Sequence, residues 1–228
     1  NSGLNMLIKK EITAVIPVKK HSDRVKSKNI RPFYNTTLYE LKLKQLKPVK
    51  GFRDKIVSSE SKSILEIAEN NGFSTHLRDP RFSTSDVPMS EVYSYIASEI
   101  PGEFISWINV TNPLVKTKIY EEAINQFNKL NSNTYDCLLS AWELNENIFY
   151  NNKPVNFKPY PWPRSQDLKG CYALSFAINI LNRKDMIKWG SCVGSKPYFF
   201  LLDPYISTDV DYQEDFDFCE MIYRQNNL

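Results

Sequence analysis

Short apolar runs and amphipathic stretches take turns along the first 142 residues, and that alternation limits the fold more than any other feature. Ala14-Val15-Ile16 is a short apolar run ended by Pro17, the pattern of a buried strand. Leu38, Leu41, Leu43 and Leu46 recur at approximately helical spacing, so Thr37 to Lys47 reads as a helix. Lys55 to Ser59 and Thr75 to Arg78 read as strands, separated by a helix over Ser61 to Asn71 that Gly72 stops. The pattern predicts a helix over Ser85 to Ile100, a strand over Phe104 to Val110, a helix over Lys118 to Leu130 and a strand over Asp136 to Trp142. Alternation at this pitch predicts an α/β fold: a doubly wound, mostly parallel sheet covered on both faces.

The pattern breaks after Trp142. Residues 145–170 carry Asn151, Asn152, Pro154, Pro159, Pro161 and Pro163 with aromatics between them, which suits an arm rather than another sheet-and-helix unit. Regular structure is predicted again for Cys171 to Leu181 (strand), Lys184 to Trp189 (helix), Tyr198 to Leu202 (strand) and Asp215 to Gln225 (helix). The expectation is one domain over 1–228 with an arm inserted at about 145–180, the best candidate for a homodimer contact.

Composition narrows the function classes. Twenty-nine basic against 26 acidic residues, a net charge of +3, argue against a general nucleic-acid binder. No apolar run approaches a membrane span, and Leu7-Ile8 is followed by Lys9, Lys10 and Glu11 rather than a signal-peptide core. Asn1 to Asn5 read as leftover vector sequence, with Met6 near the natural start. Cys137, Cys171, Cys192 and Cys219 lack CxxC spacing and the only histidines are His21 and His76, which argues against zinc and for reduced core thiols in a cytoplasmic protein.

Four stretches bear chemistry. Lys19, Lys20, Arg24, Lys26 and Lys28 follow the first strand, interrupted by the single acid Asp23; such a loop suits a polyphosphate, or is a solvated basic loop. Asp209-Val210-Asp211 would put two carboxylates on one side of an extended chain, facing a divalent cation such as Mg²⁺. The alternative is that acids between Asp211 and Asp217 cap the last helix, and both hold if Glu214 and Asp215 cap while Asp209 and Asp211 ligate. Ser83-Thr84-Ser85-Asp86 reads first as an N-cap and second as an anion or nucleobase contact. Arg164 in Arg164-Ser165-Gln166-Asp167 would clamp a carboxylate bidentately or make an intersubunit salt bridge. His21 reads as a loop contact. With 7 glycines in all and neither glycine-rich phosphate motif, the phosphates would have to be held by side chains.

These blocks, in order, resemble the acylneuraminate cytidylyltransferases, the family of the CMP-sialic acid and CMP-KDO synthetases. Ile16-Pro17-Val18-Lys19 through Lys28-Asn29 resembles the family's Ile-Pro-Ala-Arg-Gly-Gly-Ser-Lys-Gly…Lys-Asn opening. Arg78 with Ser83 to Asp86 resembles its Arg…Ala-Ser-Asp, and Asn109 to Leu114 its Gln-Pro-Thr-Ser-Pro-Leu. Arg164 to Leu168 resembles its Arg-Arg-Gln-Asp arm, and Ser207 to Asp215 its Ile-Asp-Ile-Asp-Thr-Glu-Glu-Asp. The resemblance implies a Rossmann-like nucleotidyltransferase fold and an enzyme, dimeric through its arm, that takes CTP and an acidic sugar and releases pyrophosphate. It implies that Lys19, Arg24 and Lys28 hold the triphosphate and that Asn29, Arg78, Ser83 and Ser85 contact the nucleotide. Asn109, Arg164 and Gln166 would lie towards the acceptor, and Asp209 and Asp211 would hold Mg²⁺. Departures stand at Lys19 for the family's Arg, Lys20 and His21 for its two glycines, Asp23 for its Lys, Asn109 for its Gln, and Ser175-Phe176 for an Asn-Gly. They leave open a phosphorylated or phosphonate acceptor giving a CDP-type product, and a non-catalytic nucleotide-binding relative.

Overall fold

A computed structural model describes residues 9–22 and 24–227; Asn1 to Asn5, Met6 and Asp23 lie outside the described residues. The first strand, β1 (Ile12–Pro17), is buried along almost its whole length, as expected for the centre of a sheet covered on both faces. It pairs in parallel with β2 (Asp54–Ser59) and β4 (Phe104–Trp107), and β2 pairs in parallel with β3 (Ser74–Leu77). With β5 (Cys137–Glu143), β8 (Tyr172–Asn182) and β9 (Pro197–Leu201) the sheet has seven strands in the order β3-β2-β1-β4-β8-β5-β9. The mostly parallel, doubly wound expectation holds, with β8 antiparallel to both its neighbours.

The helices are seated on the sheet by their apolar faces, and α1 also has a capped start. In α1 (Leu38–Leu46) the Thr37 hydroxyl accepts from the Glu40 N–H at 3.0 Å, a side-chain cap on an otherwise unsatisfied donor. With α2 (Lys62–Asn70) and α4 (Thr117–Lys129), α1 covers one face of the sheet, where Ile12, Ala14 and Ile16 meet Tyr39, Leu43, Ala68 and Phe127. Val15 points to the opposite face, against Val92 and Ile96 of α3 (Met89–Glu99) and Met186 of α5 (Arg183–Trp189). The two sides of the strand alternate as period two requires. The last helix, α6 (Gln213–Gln225), builds a smaller third core in which Phe33, Leu38 and Leu41 pack with Val210, Phe216 and Cys219.

One helix start differs from expectation. α3 begins at Met89, with Pro88 at its N-cap and no side-chain cap, so Ser83-Thr84-Ser85-Asp86 does not cap it. Pro88 disfavours helical geometry for Val87 and delays the helix; Pro80–Ser83 form a short 3₁₀ turn instead. The excursion after β5 contains a two-stranded ribbon, β6 (Phe149–Tyr150) and β7 (Lys153–Pro154), and a 3₁₀ turn at Ser165–Asp167. From Tyr172 to Asn182 the chain is back in the sheet as β8, so the stretch outside it ends near residue 171 rather than 180. Cys137, Cys171, Cys192 and Cys219 are unbridged, all but Cys171 buried. No described helix is long and apolar enough to cross a membrane.

Candidate active site

After β1 the chain runs to β2 and β3 on one side and then returns to place β4 on the other. That reversal makes a crevice at the carboxyl ends of β1 and β4, the usual ligand position in open α/β sheets. A cavity of about 690 Å³ opens there, lined from the end of β1 by Pro17, from β4 by Trp107, and from the loop after β4 by Asn109 and Thr111.

The basic loop supplies Lys19, Arg24 and Lys28 to this cavity. It is a run of turns closed by Asn29, whose Nδ2 donates to the Lys19 carbonyl at 3.1 Å. Asn29 Oδ1 is buried without a hydrogen-bond partner, an acceptor in want of a donor such as a ligand hydroxyl. Arg24 Nη2 meets Asp211 Oδ1 at 2.6 Å, and Lys28 Nζ donates to the Val210 carbonyl at 2.7 Å. Burial lowers the Lys28 pKa while the facing Asp209 and Asp211 oppose that shift.

Asp209 and Asp211 both line the cavity, while Val210 between them is buried in the third core. Both acids of Asp-x-Asp thus stand at one cavity, with the apolar residue between them anchoring the segment inward. The Val210 N–H donates to the Thr111 carbonyl at 2.8 Å, tying the segment to the loop after β4. Asp215 accepts from the N–H groups of Asp211 and Tyr212 at 3.0 and 2.8 Å. The capping and facing roles thus coexist, with Asp215 as the cap. Burial raises the Asp209 pKa although Thr111 hydrogen-bonds its carboxylate, and Asp209 Oδ1 is buried with no hydrogen-bond partner. A buried, half-satisfied carboxylate beside a second one fits a hard divalent cation. Among the described residues no group of three or more His, Cys, Asp or Glu assembles; two carboxylates are the protein share Mg²⁺ takes when phosphates supply other ligands.

Behind the loop, Glu60 links two sides of the site: its carboxylate accepts from the Lys20 N–H at 3.0 Å and from the Ser83 hydroxyl at 3.2 Å. Arg78, Ser83 and Ser85 line this end of the cavity. Arg78 is 1% exposed, and burial lowers its pKa to about 10. Among the described residues no carboxylate lies within salt-bridge distance of it. A buried guanidinium so placed suits an electronegative ligand edge.

Ten of the twelve site residues expected from the sequence line this cavity; Arg164 and Gln166 do not. Arg164 sits in the arm, where it forks onto Asp167 of its own chain at 2.7 and 3.0 Å.

Several contributors carried no legible motif. Trp107, Tyr93, Met89 and Phe176 give the cavity an apolar wall. Phe176 has a φ of 55° at a bulge of β8, a left-handed conformation that costs a non-glycine residue about 1–3 kcal/mol. Its signal was the substitution of the family's glycine. Asn112 is wholly buried, and its Nδ2 approaches the carbonyls of Ser175 (3.2 Å), Ser207 (3.0 Å) and Thr208 (3.3 Å). It thereby joins the loop after β4, the β8 bulge and the segment leading into Asp209. Asn112→Ala should leave those carbonyls without their donor and lower stability by about 1–3 kcal/mol. Urea denaturation measures this; an unchanged midpoint would show the junction to be dispensable.

Comparison with known proteins agrees with the geometry. Residues 13–218 match the family described as Cytidylyltransferase. The chain is 24% identical to post-translational flagellin modification protein B of Campylobacter coli, over 96% of this chain and 97% of that one. It is also 24% identical to N-acylneuraminate cytidylyltransferase A of Danio rerio, over 92% of this chain but only 50% of that one. In structure it resembles CMP:2-keto-3-deoxy-manno-octonic acid synthetase, solved with CTP, at a TM-score of 0.68, 10% identity and coverage of 95% and 99%. It likewise resembles 4-diphosphocytidyl-2C-methyl-D-erythritol synthase from Anaerococcus prevotii, at a TM-score of 0.69, 13% identity and coverage of 96% and 98%. These two likenesses bear on the fold, a Rossmann-like nucleotidyltransferase sheet. The family match covers most of the chain: this protein belongs to the cytidylyltransferase family and is an enzyme of the nucleotidyltransferase class.

Proposed function

We propose that this enzyme transfers CMP from CTP to an acidic sugar of the sialic, nonulosonic or KDO type, releasing pyrophosphate. The observation that carries the reading is the gathering of Lys19, Arg24, Lys28 and Arg78 opposite Asp209 and Asp211 in one crevice at the switch point. An acceptor hydroxyl oxygen attacks the α-phosphorus and gives its proton to solvent, the bond from that phosphorus to the bridging oxygen breaks, and pyrophosphate leaves with the electron pair. Such a displacement needs positioning and charge stabilisation more than covalent help from the protein.

Lys19, Arg24 and Lys28 bind the triphosphate and stabilise the leaving pyrophosphate. Asn29, Arg78, Ser83 and Ser85 hold the nucleoside end. Asn109 lies at the β4 end, towards the acceptor. Asp209 and Asp211 are the residues to hold Mg²⁺, which when bound supplies charge neutralisation at the phosphate oxygens. The supporting observation is the orphaned Asp209 Oδ1. Lys28→Ala should weaken CTP binding by about tenfold; calorimetric titration that finds unchanged affinity would remove Lys28 from the triphosphate site.

The arm supports a homodimer reading. Tyr160 and Trp162 are 89% and 67% exposed, and Tyr150 is 72% exposed, an apolar display more typical of an interface than of open surface. Arg164 and Gln166 would then meet the acceptor across the dimer, and the chain as a whole acts as one cytoplasmic catalytic domain with its arm exchanged. Sedimentation as a fully active monomer would sink this part of the reading. One observation favours a different acceptor. Arg164, matched to the acceptor carboxylate, is already engaged with Asp167, which leaves room for a phosphorylated or phosphonate acceptor and a CDP-type product. Pyrophosphate release with Mg²⁺ and CTP, across sugar acids and phosphorylated or phosphonate acceptors, decides between the two.

A further inference from the structure

Arg78 is held from behind by a chain of three side chains on three elements. Arg78 Nε donates to Ser58 Oγ at 3.2 Å, and Nη2 donates to the Ser58 carbonyl at 2.7 Å. Ser58 Oγ lies 2.9 Å from His76 Nδ1, and His76 Nε2 lies 2.7 Å from Glu99 Oε2. Ser58 on β2 and His76 on β3 are register partners in the parallel pair, so the sheet itself sets this juxtaposition. Glu99 comes from the last turn of α3.

For an ionised Glu99 and a neutral His76, the donor and acceptor inventory gives the relay one direction. An ionised carboxylate only accepts, so His76 Nε2 carries a proton towards Glu99. The other nitrogen of a neutral imidazole then accepts, and the Ser58 hydroxyl donates to it. That turns a Ser58 lone pair to Arg78, which can only donate. Ser58 is fully buried and Arg78 is 1% exposed, so water cannot readily replace a missing partner. Around the relay, Tyr95 lies beside His76 with ring centroids 5.8 Å apart and accepts from the Asp79 N–H at 3.0 Å. The same tyrosine stacks on Phe82 of the turn that carries Ser83, with centroids 3.9 Å apart.

We propose that His76, through the Glu99–His76–Ser58 relay, is a positioning residue that fixes the Arg78 guanidinium for CTP. The inference rests on the reading of Arg78 as a nucleotide contact. It goes beyond that reading by placing the determinant of affinity outside the cavity, on a residue with no ligand contact of its own. Imidazole is suited to the task because it can accept from Ser58 on one side while donating to Glu99 on the other.

The test is a double-mutant cycle in the full-length enzyme, reading CTP affinity by calorimetry together with KM for CTP, kcat and the thermal midpoint. Arg78→Ala and His76→Phe are each expected to weaken CTP binding about tenfold, with KM moving more than kcat. In the Arg78→Ala background, His76→Phe should have no further effect, because its action runs through the missing guanidinium. His76→Asn, whose Oδ1 can accept from Ser58, should recover most of the affinity. Ser58→Ala should reproduce His76→Phe and guards against a phenylalanine that disturbs folding. Additive losses in the double variant, or equal defects in the Phe and Asn variants, would overturn the relay. Weakened binding in Arg78→Ala with intact affinity in both His76→Phe and Ser58→Ala would overturn it while leaving the nucleotide reading standing. An Arg78→Ala enzyme with normal CTP affinity would overturn that reading and the relay with it.

Discussion

Asp209→Asn is expected to lower metal-dependent turnover by about 10²–10³-fold, the scale of losing one preorganised electrostatic group in a transfer reaction, while the fold is retained. Two features make these outcomes separable. Asp209 lines the cavity and its Oδ1 is buried without a partner, so the substitution breaks no hydrogen bond at that oxygen. Its pKa is raised chiefly by burial, so ionisation is penalised in the apo protein and a neutral amide of similar shape removes that penalty. The thermal midpoint of the apo variant should therefore match or exceed that of the parent, while pyrophosphate release with Mg²⁺ collapses. Retained activity would count against the metal assignment, and a large drop in the midpoint would recast Asp209 as structural.

Lys42→Met is expected to have the largest effect on stability, a loss of about 2–4 kcal/mol. Lys42 is wholly buried in α1, and its Nζ reaches the Asn112 carbonyl at 2.8 Å, the Val115 carbonyl at 3.2 Å and Tyr120 Oη at 2.7 Å. Nζ donates to all three oxygens, which are the whole of its polar surroundings in the core. Burial pushes its pKa well below the ordinary 10.5. Methionine would strand two buried carbonyls and a hydroxyl. The sign of the pH dependence follows from proton counts. Between the depressed native value and about 10.5 the unfolded chain holds one more proton at Lys42 than the folded chain, so stability rises with pH across that window. The difference in unfolding free energy between the parent and Lys42→Met should therefore widen from neutral pH towards 10. A constant difference would mean that Lys42 stays charged in the core.

The sheet and its helices were legible because each element announces itself locally. Ala14 to Ile16 with Pro17, the leucines of α1 and Gly72 after α2 speak through periodicity and breakers alone. The direction of β8 was not legible, since apolar content is the same for a strand running either way and the pairing of β8 is decided by partners far away in sequence. The start of α3 misled because Ser83 to Asp86 has cap chemistry while Pro88 controls the backbone. In the site, charged residues clustered in sequence, such as Lys19 to Lys28 and Asp209 to Asp211, revealed themselves. Residues that act by convergence did not. His76 looks like an isolated histidine until β2 and β3 set it beside Ser58, and Asn112 looks like a loop asparagine until three segments meet at its amide.

The small third core has a consequence for the order in which this protein becomes competent. The seat under Val210 is made by Phe33, Leu38 and Leu41 from the early chain and by Phe216 and Cys219 from α6. All seven strands of the main sheet precede that helix. A ribosome-bound chain that has emerged through β9 thus carries its complete sheet but lacks the wall that turns Asp209 and Asp211 into the crevice. The seat of the proposed metal-holding pair is completed by the last helix, so premature termination ahead of Phe216 would yield a protein with its central layer assembled and Val210 without its apolar partners from α6.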